Sequence, residues 1–215
     1  MSKSSIDNIF IYWVYFISLI FLISYALESL GFISSIFQED ISYLSSLIAF
    51  ILIFYLFQCG YYLYKLRDAV FFIETKTHYD DSNPFIIILS EFQIANNVLK
   101  DKPKASLHEE FKLKLYEFVD NGFFISDLLL KLGIIGTVIG FIIMLSSLSA
   151  IDEMNLSKMN NLLLSMSAGM KVALYTTLTG LIGSILLSIQ YNFFETKINM
   201  FINQVINIDN YEKKK

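Results

Sequence analysis

Ala173, Thr177, Gly180, Ser184 and Ser188 follow one another at steps of four, three, four and four residues. That spacing puts small and hydroxylated side chains on one face of a helix whose other positions are mostly Leu and Ile. An earlier segment repeats the pattern with Gly133, Thr137, Gly140, Met144 and Ser147, and Gly136 and Gly140 form a small-xxx-small pair. Hydroxyls on an apolar helix either bond back to carbonyls of their own helix or meet polar groups across an interface or in a pore. For Gly133, Gly136 and Gly140, close helix packing is the simpler expectation. Two adjacent segments with matching stripes point to a lined interface or pore.

Other chemistry is missing. There is no Walker-type glycine loop, no HExxH and no cysteine–histidine ligand set. Glu109 and Glu110 are neighbours on an expected helix and point apart, as a solvated face does. His78 and His108 are far apart in sequence and read as surface residues. Cys59 stands alone in an apolar run, so it forms no disulfide framework and reads as a small buried hydrophobe. The chain is therefore not expected to be an enzyme or to hold a metal or cofactor. A carboxylate at mid-membrane is the usual mark of a proton relay. Asp127, Lys131, Lys171 and Glu195 all fall near the ends of apolar runs. A proton carrier, if protons move, has to come from a partner.

The elements that position these stripes are membrane spans. Of 215 residues, 55% are hydrophobic and only 17% charged, with a mean hydropathy of +0.55. That leaves too little charge to cover a soluble surface, and a net charge of −4 argues against nucleic-acid binding. A helix crosses a bilayer core in about 20 apolar residues. Four segments qualify: Ile9 to Leu27, Ile41 to Tyr64, Leu128 to Leu148 and Val172 to Tyr191. Tyr12, Trp13, Tyr61, Tyr62 and Tyr64 sit near span ends, as an interfacial belt does. Ser24-Tyr25-Ala26 resembles a signal-peptide cleavage site, but the long apolar stretch before it reads as an uncleaved anchor.

Basic residues set the expected orientation. The connector between the first two spans holds Glu28, Glu39 and Asp40 and no Lys or Arg, whereas the next holds Lys65, Arg67, Lys76, Lys100, Lys102, Lys104, Lys112 and Lys114. Lys158 is alone between the last two spans, with Lys171 at the edge, and Lys197 and Lys213 to Lys215 lie beyond them. Both termini and the middle connector are expected in the cytoplasm. Phe111, Leu115, Phe118 and Val119 recur at helical period in that connector, between polar breaks at Asn83-Pro84 and Pro103. The expected class is an all-α integral membrane protein with four transmembrane helices. Residues 1–64 carry the first two spans, 65–127 a helical cytoplasmic connector, 128–192 the striped helix pair and 193–215 a cytoplasmic helical extension.

The striped pair resembles the MotA/TolQ/ExbB family of proton-channel proteins. Leu132-Gly133-Ile134-Ile135-Gly136-Thr137-Val138-Ile139-Gly140 is similar to its LGxxGTVxG segment. Ser167 to Leu181 is similar to SxGxxxALxTTxxGL, and Tyr191-Asn192 fits the end of that helix. The resemblance implies a homo-pentamer in the bacterial inner membrane, surrounding two copies of a MotB-, TolR- or ExbD-like partner. Each partner has one span bearing an aspartate, and H⁺ or Na⁺ passes by way of it. The family's pore-lining threonines fall on Thr137 and Thr177, with Thr176 as a neighbouring candidate. Gly133, Gly136, Gly140, Ala173, Gly180 and Ser184 form the packing or pore face. Leu186 stands where the TolQ/ExbB branch often has proline. Four spans look like MotA, yet the connector is shorter than that of flagellar MotA, and Arg67 is the only arginine. Two other classes stay in play: a non-conducting membrane scaffold, and a small transporter, which would show interrupted helices and inverted repeats.

Overall fold

The computed structural model describes residues 4–75, 82–98, 104–148 and 156–212. Among them are six α-helices and no strand: α1 (Ser4–Ser29), α2 (Phe32–Glu39), α3 (Leu44–Thr75), α4 (Pro84–Val98), α5 (Lys104–Leu148) and α6 (Leu156–Glu212). Four are long and apolar enough to cross a membrane, over Ile11–Ser29, Leu44–Ile73, Ala105–Ser146 and Leu162–Asp209. The all-α, four-span expectation holds. The expectations placed on Lys76, His78, Lys100, Lys102, Pro103 and Lys213 to Lys215 lie outside the described residues.

Helix α2 lies in the stretch that the sequence presents only as a connector between the first two spans, marked by Glu28, Glu39 and Asp40. Gly31 makes the break. It adopts φ 72°, a left-handed conformation open to glycine, and its N–H closes on Glu28 O at 2.8 Å. The Glu28 carboxylate then accepts the Ser34 N–H at 3.1 Å, in the first turn of α2.

Asp40 starts α3. Its carboxylate accepts the Ser45 N–H at 2.7 Å, the Ser42 N–H at 3.0 Å and the Ser42 hydroxyl at 2.5 Å. Burial raises the carboxyl pKa, but these bonds to Ser42 and Ser45 outweigh it and hold the group below its usual 3.8. A depressed folded-state pKa contributes stability above the unfolded value, and that contribution is lost as pH falls through the folded one. Asp40→Ala is expected to cost about 1–2 kcal/mol at neutral pH. The gap to wild type should close below pH 3.8, as read by thermal unfolding in detergent across pH.

The described chain forms two compact units. One comprises Met1–Ile17, Leu56–Phe123 and Ile189–Lys215, the other Ser18–Tyr55 and Phe124–Ser188. In the first unit, the connector is a packed helical layer rather than a solvated linker. Asn83 accepts the Phe85 N–H at 3.1 Å ahead of Pro84, which suits the first position of α4, and donates to Lys65 O at 2.9 Å. Leu63, Leu66, Phe85, Leu89, Phe111, Leu115, Phe194 and Phe201 are buried together there. Ring contacts join Tyr62 to Phe118 at 5.2 Å and Phe85 to Phe118 at 5.3 Å. Cys59 is fully buried, as expected. Trp13 lies against Gly60, where an added Cβ would meet the indole at 2.2 Å. His108 corrects the surface reading: its Nε2 is 3.4 Å from a carboxylate oxygen of buried Asp209, and its ring lies 5.7 Å from that of Phe92. The helical period of Phe111 and Leu115 buries one face of α5, and His108 sits one turn earlier on that face.

Candidate functional site: the α5–α6 seam

The second unit holds both stripes, and they face each other. Apolar stripes alone would give two helices little reason to prefer one another in lipid, so close backbone approach and polar contacts must hold them. Glycines supply the approach. An added Cβ on Gly180 would lie 2.7 Å from Leu129 O and 2.8 Å from Gly133 Cα. One on Gly140 would lie 2.6 Å from both Ala173 N and Gly169 O. Gly136 faces Thr176, whose Oγ1 would be 2.2 Å from the new carbon. Gly133 is looser, with its nearest neighbours at 3.2 Å.

Hydroxyls supply the polar contacts, each in its own way. Thr177 Oγ1 is within bonding distance of Gly133 O, across the seam at 3.1 Å, and of Ala173 O in its own helix at 3.0 Å. Thr176 is fully buried and donates to Val172 O at 2.8 Å. Thr137 is half-buried and donates to Ile134 O at 2.5 Å. Thr177 thus joins the two helices, while Thr137 and Thr176 bond back to their own. Ser184 meets Ser126 of α5, whose hydroxyl donates to Ser184 O at 2.7 Å and lies 2.7 Å from Ser188 Oγ.

Two members of the seam stand outside the predicted packing face, Ser126 and Gly169, the latter named only within the SxG motif. Ser126 lies seven residues before Gly133, two helical turns along the same face, so the small-residue spacing could have found it. Gly169 lies four before Ala173 and faces Gly140 and Met144, with Gly140 O and Met144 N each 2.7 Å from its added Cβ. At the far end, Lys171 donates to Glu39 at 2.7 Å. Ser126 is almost fully buried, so Ser126→Ala leaves Ser188 without this partner. A loss of about 0.6–2 kcal/mol is expected, measured as detergent-solubilised thermal stability.

Among the described residues no group of three His, Cys, Asp or Glu could hold a metal ion. What the seam can offer chemically is polar contact to water or to a neighbouring helix. The model of the MotA/TolQ/ExbB proton channel family matches residues 127–207, which run from α5 through most of α6. No curated relative and no solved structure matches the chain.

Proposed function

From membership of the MotA/TolQ/ExbB family, which the match over α5 and α6 supports, we propose that this multi-pass membrane protein is the channel subunit of an ion-driven motor. Five copies surround two copies of a single-span partner, and the partner's intramembrane aspartate carries H⁺ or Na⁺. Both termini and the α3–α5 connector lie in the cytoplasm of a bacterial cell, with the spans in its inner membrane. The chain catalyses no covalent step. Thr177 carries the reading: its hydroxyl is half-buried in the seam of the family-matching helices, beside a backbone carbonyl of each. There it can exchange a backbone bond for water or the protonated aspartate. Thr137 borders the same route, and Gly133, Gly136, Gly140, Ala173, Gly180 and Ser184 keep the two helices close enough to frame it.

A second reading is a non-conducting scaffold. It is favoured by one observation: the hydroxyls of Thr137, Thr176 and Thr177 all have backbone acceptors within the chain. Native mass spectrometry after co-expression with the adjacent open reading frame tests the assembly. A mass of five chains plus two single-span partners supports the motor. A monomer or dimer without partner overturns it, and a pentamer whose partner span lacks a carboxylate moves the assignment to the scaffold.

A further inference from the structure

We propose that the Asp127–Lys131 pair of α5 faces water within the thickness of the bilayer, lining an aqueous passage of the assembled channel. The proposal rests on the channel reading above and adds to it the place where the passage is wet. Sequence alone puts these residues near the end of a span, within reach of headgroups. The packing of α3 against α5 and α6 puts them deeper.

The depth follows from one contact point. The Cβ position of Gly183 is 3.3 Å from Leu129 Cδ1 and 3.8 Å from both Ile48 Cγ2 and Leu52 Cδ2. Leu129 therefore lies level with Ile48 and Leu52, four to eight residues into α3, or about 6–12 Å from its start. From Leu52 the apolar sequence of α3 continues for about 18 Å to Tyr64. Asp127 and Lys131 flank Leu129, about 3 Å either way along α5.

At this level α3 turns Leu47, Phe50 and Ile53 outward, as a lipid-facing helix does. The exposed face of α5 instead carries an ion pair, with Lys131 Nζ 2.5 Å from Asp127 Oδ2 and side-chain exposures of 64% and 56%. Charges in hydrocarbon are costly and face water or protein interior instead. Snorkelling does not remove the difficulty. The short Asp127 side chain cannot cover the distance to either boundary, and the Lys131 ammonium is turned back toward Asp127. Since α6 occupies the opposite face of α5 through Gly133, Gly136 and Gly140, the charged stripe points outward to whatever the assembly places there, and water satisfies both charges.

Cysteine accessibility tests this on the full-length chain in open membrane sheets. Asp127→Cys, Lys131→Cys and Phe50→Cys are each treated with a membrane-impermeant trimethylammonium thiosulfonate reagent, with wild type and its buried Cys59 as baseline. A thiol in water ionises and reacts, whereas one in hydrocarbon does not. The rates at positions 127 and 131 should exceed that at 50 by about tenfold or more. Equally slow labelling at all three positions, in variants that elute as the wild-type oligomer, overturns the proposal. So does oxidative cross-linking of copies through Asp127→Cys, which assigns the stripe to a subunit contact. Labelling does not depend on ion flux, so failure of the channel reading appears separately, as wild-type protein that passes no ions.

Discussion

Gly140→Ala and Gly180→Ala are expected to destabilise the chain by about 1–3 kcal/mol each, whereas Gly133→Ala should fall well below that range. The contrast comes from what each new methyl meets. At Gly140 and Gly180 the obstacles are backbone atoms of the facing helix: Ala173 N and Gly169 O at 2.6 Å, and Leu129 O at 2.7 Å. Backbone cannot rotate aside, so α5 and α6 must move apart along the seam. At Gly133 the neighbours stand at 3.2 Å, and a shift of a few tenths of an ångström accommodates the methyl. Alanine's higher helix propensity, about 1 kcal/mol over glycine in an exposed helix, works in the opposite direction at all three positions and sets the sign at Gly133. Thermal unfolding in one detergent, comparing the three variants with wild type, checks the order. Equal losses at all three would mean that the close approach is not what holds the seam.

Thr177→Val should abolish ion-coupled output while leaving the assembled protein intact. Valine keeps the shape of threonine and removes the hydroxyl, so packing is preserved and one helix-bridging hydrogen bond is lost. Such bonds in membrane proteins average about 0.6 kcal/mol, too little to unfold the seam. Thr177→Ser restores the hydroxyl and should restore output. Thr176→Val provides the comparison. Thr176 is fully buried and bonded to Val172 O, so its loss should leave ion flux near wild type. Flux in vesicles, at matched oligomer abundance, is the measurement. Normal output in Thr177→Val would remove that hydroxyl from the ion path.

The two outcomes together bear on why these helices carry glycine and threonine at all. Steric approach and hydroxyl chemistry occupy the same seam here. Gly133 O accepts from Thr177, and the Cβ position of Gly133 is 3.4 Å from Thr177 Cα. A substitution that separates the helices therefore also removes the threonine from its carbonyl, whereas Thr177→Val removes only the hydroxyl.

Much of the fold was legible in the residues. Four uncharged or nearly uncharged runs sufficed for the spans, because bilayer thickness imposes a length that composition can meet or miss. Period alone identified the buried face of the connector, as Phe111 and Leu115 show. The steps of three and four in the stripes predicted which side of each helix is small, since helical geometry fixes direction once the helix forms. For His108 the surroundings depend on a partner distant in sequence. By sequence alone His108 reads as a surface residue, whereas the fold sets it beside Asp209, 101 residues on. Helix α2 stands in a charged connector, and only the fold shows that Gly31 at φ 72° and the following residues make a separate helix there.

The sequence by itself determined the number of spans, the helical class and the two small-residue faces, all properties of a segment taken alone. Tertiary structure decided what those faces meet. It paired Ser126 with Ser184 and Ser188, set Gly140 on Ala173 and Gly169, left Thr177 between two carbonyls, and fixed the level of Leu129 against α3. The physical reason is that side-chain direction follows from local helix geometry, whereas register between helices depends on contacts among residues far apart in sequence, which no local pattern encodes.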